Sequence, residues 1–506
     1  MTASVSGERR SERVVELCKE MLRERRLLLV SNRGPVDYLV TPDGHLQAHR
    51  GSGAVVTALS SLTRHIDFTW IASAMGEGDR QAAEASQGKR FKSPIPGQTV
   101  SVRFVVTPRR AYHKFYNIVC NPLLWFLQHY MWSAPYTPNI DDSVYDAWET
   151  GYIPVNQAFA EAVISEAQEG HSPPFVMLHD YHLYLAPNYI RQKLPKAIMQ
   201  HFIHVPWPGA TYWQLIPSIM RIALCRSLCA NDIVGFQSMR DVRGFLETCE
   251  AFLPDAKVDH TDCCVQIDNR RVAVRAYPIS IDVEELRRIA NSPRALEYEK
   301  RLSTLSGEKT IVRVDRIEPS KNILRGFRAF QILLEKYPEF RERVKFLAFL
   351  VPSRSHIRQY QRYVEEIQEM VNSINSAFGH EGWQPVKVFY ENNYAQAIAG
   401  MRLYDVLMVN SVIEGMNPVA KEGPVVNTRQ GVLILSESAG GFEQLREGAL
   451  EVSPTDLFGT AQALYQALAM PLEERERRQK FLIQAIERED ITHWLERQLT
   501  DMKALV

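Results

Sequence analysis

Long apolar runs are missing from this sequence. The strongest, FLAFLVP at 346–352, falls far short of the ~20 residues that a bilayer-spanning helix needs. The N-terminal stretch MTASVSGERRSERVVELCKEMLRERR is charged throughout and holds no secretory apolar core, so a cytoplasmic protein is expected. Net charge is missing too. Lysine plus arginine equals aspartate plus glutamate at 59 each, and no basic field recommends nucleic acid or a membrane surface as a partner. Cysteine is sparse and odd in number, seven, which fits a reducing compartment. Cys225 and Cys229, and the adjacent Cys263 and Cys264, lack the matching Cys/His pair of a metal site and read as core or surface thiols. There is no low-complexity tract and no internal repeat.

What is present is a chain of 506 residues, 45% apolar and 23% charged, in the range of soluble globular enzymes and long enough for two or three domains. Short apolar segments alternate with amphipathic ones. Strands are expected at 26–32, 175–180, 197–206, 232–238, 272–279, 310–316, 344–352, 386–392, 405–411 and 431–438. Near-continuous apolar strands separated by helices imply parallel sheets covered on both faces. The fold class is α/β, with two doubly wound domains. Their boundary is expected near 285–305, where VEELRRIANSPRALEYEKRLSTLSGEK is charged and strand-free. Before the first strand, Val14, Leu17, Cys18, Met21 and Leu22 recur at helical spacing with Ser11 as a candidate cap. That helix either packs on the first domain or makes a homo-oligomer contact.

In open α/β sheets ligands collect beyond the carboxyl ends of strands. Arg33 ends the first strand, and the following HRGSGAVVTAL holds Gly51, Ser52 and Gly53, a phosphate approach at a helix start or a plain turn. His179, Asp180 and His182 of HDYHLYLAP follow a strand without further ligands nearby, which argues against metal. His204 of HFIHVPWP ends another strand, where a buried structural histidine is the plain alternative. VDRIEPSKN places Arg316 and Lys321 beside a helix N-terminus, an anion site without metal or a solvated charge pair. VPSRSH places Arg354 likewise.

The stretch NSVIEGMNPVAKEG carries Glu414 and Glu422 around a Gly415-Met416-Asn417-Pro418 turn before Val419. Asn417 suits a helix cap and Pro418 the first helical position. Glu422, just over a turn in, suits paired ribose hydroxyls. This is a cradle for a nucleotide diphosphate rather than a hydrolytic pair.

Taken together, VSNR, HDYHL, HVPWP, VDRIEPSKN, PSR, GMNPVAKE and DITHWLERQLTDMK resemble, in order and spacing, the trehalose-6-phosphate synthase family of retaining glycosyltransferases. The resemblance implies two Rossmann-like domains facing a cleft (the GT-B glycosyltransferase fold). Residues 1–25 would form an N-terminal helical extension and 26–290 the acceptor domain. Residues 291–482 would form the nucleotide-sugar domain, and 483–506 a helix crossing back. It implies glucose transfer from UDP-, ADP- or GDP-glucose to glucose 6-phosphate, without cofactor or metal. Arg33, Tyr116, Trp125, Asp180 and Arg354 match acceptor positions, and His204 the histidine beside the donor sugar. Arg316 and Lys321 match the cations on the diphosphate. Ser52, Gly53 and the run Glu414, Gly415, Met416, Asn417, Pro418, Val419 and Glu422 match the rest of the donor cradle. Ser52 stands where glycine is usual, Glu414 where aspartate is usual, and Pro418 where leucine is common. These departures leave a relative with another acceptor or donor as the alternative, such as a glucosylglycerol-phosphate synthase or a cyclitol-joining pseudo-glycosyltransferase. A non-catalytic nucleotide-sugar-binding regulator is the alternative of another class.

Overall fold

The computed structural model describes residues 2–51, 56, 59, 66–170, 172–354 and 358–506, with side chains from residue 12 onward. The chain forms two compact units, Met1–Ile279 with Thr492–Val506, and Ser280–Ile491. The division falls ahead of residue 290 because the helix Val283–Ala290 buries Val283, Leu286 and Ala290 in the core of the second unit.

The first unit holds β1 (Leu27–Ser31), β2 (Val36–Val40), β3 (Leu46–Arg50), β4 (Thr69–Ser73), β5 (Phe91–Lys92), β6 (Ser101–Val105), β7 (Phe175–His179), β8 (Ile198–Phe202), β9 (Ile233–Phe236), β10 (Lys257–Asp259), β11 (Cys264–Ile267) and β12 (Arg270–Ala276). Among the described residues its main sheet runs β10-β11-β12-β9-β8-β7-β1-β4-β6-β5. The seven central strands pair in parallel, and β1, β4, β7, β8 and β9 among them are buried along their whole length. Both edges depart from the all-parallel expectation: β5 and the β10–β11–β12 meander pair antiparallel. The meander closes through Asp268-Asn269, both at positive φ. Such a two-residue connection matches the right-handed twist of the strands it joins.

The second unit holds β13 (Lys309–Arg316), β14 (Val344–Val351), β15 (Val386–Phe389), β16 (Val406–Val409), β17 (Val432–Ser436) and β18 (Leu450–Val452). Its sheet runs β15-β14-β13-β16-β17-β18, with every pairing parallel. Because side chains alternate across a strand, Ile311, Phe346, Met408 and Ile434 join one core cluster with the helix Ile323–Lys336. Val312, Leu347, Leu407 and Leu433 join the other, with Tyr394–Arg402 and Leu472–Arg488. Both faces of this sheet are covered, which explains its uninterrupted apolar strands.

All the expected strands form. The additional ones include the exposed β2–β3 hairpin and the short β4 and β6, whose polar interruptions (Thr69, Ser73, Ser101, Arg103) weaken the apolar signal. The N-terminal helix begins at Thr2, so Ser11 lies inside it and is no cap. Val14, Cys18 and Met21 are buried as expected. Arg13 pairs with Glu496 at 3.0 Å, and Glu20 accepts from Lys503 at 2.5 Å, which ties the helix to the C-terminal one, Ile491–Lys503, within the first unit. That C-terminal helix is anchored by Gln200 and Gln498 (2.5 Å) and by Trp494 donating to the Tyr277 carbonyl (3.1 Å). No described helix is long and apolar enough to cross a membrane.

Candidate functional site

Each sheet has a reversal of strand order beside its first strand in sequence. In the first unit the chain builds outward from β1 through β4 to β6, then returns to the other side of β1 with β7. In the second it builds β13, β14, β15 and returns beside β13 with β16. In open α/β sheets the loops at such a reversal diverge and leave a crevice at the carboxyl ends of the strands. Most of the expected site residues stand there.

In the first unit, Asn32 and Arg33 follow β1. Arg33 is exposed and has no ion-pair partner among the described residues. Asn32 is buried, and its Oδ1 accepts from Ser73 (2.9 Å) and from the Tyr112 hydroxyl (3.2 Å). Tyr112 stacks on Tyr116 with ring centroids 5.8 Å apart, and Tyr116 stacks on His182 at 6.0 Å. Tyr116 lies in Phe115–Trp125, a π-helical segment containing Pro122. Wide turns of this kind cost hydrogen-bond quality and recur where a chain must aim side chains at a site. Trp125, at its end, is buried and stacks on His129 at 3.9 Å. Gly51 packs so closely that a Cβ there would meet the Gly34 carbonyl oxygen at 2.0 Å. Ser52 and Gly53, which follow it, lie outside the described residues.

After β7, Asp180 has φ 72°, a conformation costly for a residue with a Cβ. Two bonds hold it: its N–H donates to the Phe202 carbonyl at 2.8 Å, and its carbonyl accepts from His201 at 2.9 Å. Its carboxylate accepts the His204 N–H at 3.3 Å. Burial pushes the Asp180 carboxyl up to about 7. The His204 ring lies 3.2 Å from His179, Nε2 to Nδ1, and burial followed by the neighbouring His201 holds its pKa well down.

In the second unit, Arg316 ends β13, exposed and without an ion-pair partner among the described residues. Lys321 forms an ion pair with Glu414 across the β13/β16 reversal. Its pKa is raised although burial alone would lower it, because Glu414 and Asp315 stand beside it. Glu414 also accepts from Ser411 (2.5 Å) and Asn417 (2.6 Å). Asn417 Oδ1 in turn accepts the Ala420 N–H at 3.2 Å, the expected cap, with Pro418 at φ −60° opening Val419–Val426. A Cβ on Gly440 would meet the Gly415 carbonyl oxygen at 1.3 Å, so the loop after β17 closes directly over this turn. Glu422 accepts the Tyr394 hydroxyl at 2.9 Å, and burial pushes its carboxyl to about 7. Arg354, at φ 44°, donates to Glu318 (2.9 Å) and to the Tyr360 hydroxyl (2.9 Å).

A family model described as Glycosyltransferase family 20 matches residues 25–504. The chain belongs to this family. It is similar to the UDP-forming alpha,alpha-trehalose-phosphate synthase A of Dictyostelium discoideum, 29% identical over 93% of this chain and 61% of that protein. The Aspergillus fumigatus UDP-forming synthase 2 is 30% identical over 93% of this chain and 95% of its own length. Among solved structures, a UDP-forming synthase of Burkholderia xenovorans in complex with glucose-6-phosphate aligns with TM-score 0.79 and 25% identity, covering 94% of this chain and all (100%) of that one. The chain spans 50–62% of the length of the first curated relatives it matches.

Family 20 membership directs attention to residues that sequence reasoning passed over. Arg313 is wholly buried, bridging Asp315 (2.7 Å), the Lys321 carbonyl (3.0 Å) and Asn410 (3.3 Å). An arginine set among Ile311, Val312 and Val314 in the middle of a strand is a readable signal for such a bracket. Asn322 at φ 60° donates to the carbonyls of Asn410 (2.8 Å) and Pro454 (2.6 Å), fixing the Lys321 loop. Glu318 and Tyr394, partners of the expected Arg354 and Glu422, carry no local signal, because those partners are distant in sequence.

Proposed function

We propose that this chain is a retaining glycosyltransferase that moves glucose from UDP-glucose to glucose 6-phosphate, giving trehalose 6-phosphate. The observation that carries this reading is the arrangement at the β13/β16 reversal. An exposed cation, Arg316, ends β13, and a tethered one, Lys321, pairs with Glu414 in the loop leading to a capped helix N-terminus, whose N–H groups favour an anion. The printed names of the relatives support uridine as the base, and the Burkholderia complex supports the acceptor. The chemistry breaks the bond between the glucose anomeric carbon and the diphosphate, which leaves with the electron pair. The acceptor hydroxyl attacks from the same face, and its proton passes to a departing diphosphate oxygen. Arg316 and Lys321 stabilise the charge that develops there, so the reaction runs without a divalent metal. Glu422 receives the ribose hydroxyls in place of Tyr394. On the first unit, Arg33 meets the acceptor phosphate, and Asp180 and His204 offer hydrogen bonds to sugar hydroxyls. The reducing cytoplasm suits seven free cysteines.

The deciding experiment is a matrix of UDP-, ADP- and GDP-glucose against glucose 6-phosphate, glycerol 3-phosphate and free glucose, read by release of nucleoside diphosphate. The expected outcome is turnover with UDP-glucose and glucose 6-phosphate. Preference for glycerol 3-phosphate would reassign the acceptor, and no release from any pair would make the chain a binding protein.

A further inference from the structure

His179 has no part in the chemistry above, yet it ends β7 fully buried, with Nδ1 3.2 Å from Nε2 of His204. Its other ring nitrogen, Nε2, is buried with no hydrogen-bond partner among the described residues. Burial holds the pKa of both rings below the ordinary histidine value, helped at His179 by His204 and His201 and at His204 by His201. Both rings are therefore neutral near pH 7, and each carries a single N–H. One proton must lie in the contact between them, and there are two ways to place it. If His204 donated, the His179 proton would sit on Nε2, a buried N–H with nothing to receive it. A buried donor left unmade is disfavoured and rare. If His179 donates, its orphan Nε2 is only a lone pair, and every N–H finds a partner or an open face.

We infer that His179 is a positioning residue: it donates Nδ1–H to His204 Nε2 and so fixes His204 as the tautomer protonated on Nδ1. Which ring nitrogen of a histidine carries the proton is set by the bond the other one makes. The consequence is directional. His204 presents a donor, not an acceptor, to whatever ligand oxygen lies against its half-buried ring, while its backbone N–H is held by Asp180 at 3.3 Å. The functional part of this inference rests on the proposed role of His204 beside a sugar. The tautomer part does not.

The test uses the full chain labelled with ¹⁵N-histidine, with the two His204 ring nitrogens assigned by their loss in His204→Gln. Long-range proton–nitrogen correlation spectra should show the proton on Nδ1. His179→Phe keeps the ring volume and removes the donor, and should let His204 populate both tautomers. It should also lower kcat for sugar transfer by roughly 10²-fold, the scale of a misplaced reacting group, with KM changing far less. His179→Asn carries an amide N–H near the Nδ1 position and should restore the Nδ1 tautomer and most of kcat. A wild-type His204 protonated on Nε2 overturns the inference without any variant having to fold. So does a tautomer that ignores His179→Phe. If the tautomer follows the variants while turnover stays constant, the hydrogen bond stands and the proposed role of His204 falls.

Discussion

In the second unit three buried or half-buried cations near the reversal each have a carboxylate of their own. Arg313 holds Asp315 at 2.7 Å, Arg354 holds Glu318 at 2.9 Å, and Lys321 holds Glu414. The reversal of the first unit is built from neutral groups. Tyr112, Tyr116 and His182 stack in sequence, three histidines have pKa values held low by burial, and Asp180 is bonded through backbone N–H groups rather than a cation. The two crevices meet the same difficulty, polar groups at the buried ends of strands, in opposite ways. A fixed positive charge in a low-dielectric crevice must be compensated by the protein before any ligand arrives. A wall of hydroxyls, imidazoles and ring faces needs no counter-charge. The first arrangement suits a diphosphate and the second a polyhydroxylated sugar. Among the described residues the exposed Arg33 and Arg316 have no ion-pair partner, and each can meet an anion.

The strongest way to break this contrast is to remove singly the two cations proposed to meet the diphosphate. Arg316→Ala and Lys321→Ala should each lower turnover by a factor on the order of 10²–10³, the usual cost of one preorganised charge at a developing anion. Their melting curves should differ. Arg316→Ala leaves nothing behind, whereas Lys321→Ala strands Glu414 in a buried site and should destabilise by up to about 3 kcal/mol. Equal melting temperatures for the two variants would show that the Lys321–Glu414 pair carries no structural weight.

Next in size is Arg33→Gln, the same operation on the neutral side. A charge-assisted contact contributes roughly 1.5–3 kcal/mol, so kcat/KM for glucose 6-phosphate should fall roughly 10- to 100-fold. Activity with free glucose and the melting temperature should not move. Glu422→Gln should raise the Kd for UDP by about tenfold, the lower end of that range, because its amide oxygen can still accept from a ribose hydroxyl but no longer carries charge. Calorimetric titration checks this, with acceptor affinity as the control that should stay fixed.

A separate effect, on stability rather than turnover, comes from pH. The Asp180 carboxyl is raised in the folded chain to about 7 from an unfolded value of about 3.9. Its share of stability is therefore complete below pH ~4 and lost as pH rises through about 7, since folding must then bury the charge. Asp180→Asn removes that loss. Thermal melts of the variant and of wild type should run together near pH 4 and diverge in the variant's favour by pH 8. Parallel curves at all pH values would mean the carboxylate is well solvated. The smallest effect, none, is expected of exhaustive chelation on turnover, because in the proposed reaction Arg316 and Lys321 supply the positive charge. Activity lost on chelation and restored by Mg²⁺ would reverse the comparison.

Much of this was legible in the sequence because it is local. Apolar strands of the second sheet read clearly since both faces are covered. The strand ends with Arg33, Asp180, His204, Arg316 and Glu414 could be placed from where those runs stop. Asn417 and Pro418 declared a helix start by type and order. The β2–β3 hairpin, β4 and β6 were harder, because exposed or polar-interrupted strands have a weak alternation. Ser11 misled, since a serine suited to a cap gains nothing when the helix continues through it.

What the sequence determined by itself, then, is the layered α/β plan, the order of strands and helices, and the residue types available at each strand end. These follow from side-chain volume, polarity and backbone preference within a few residues. Only the tertiary structure decided who holds whom. Glu414 reads as a ligand-facing carboxylate in its own segment, but β16 returns beside β13 and sets it against Lys321. Arg354 reads as a free cation until β14, also beside β13, brings it to Glu318. His179 acquires a partner only because β7 and β8 run side by side. Each pairing depends on which strands become neighbours, and that is set by chain reversal and burial over the whole sheet rather than by any one segment.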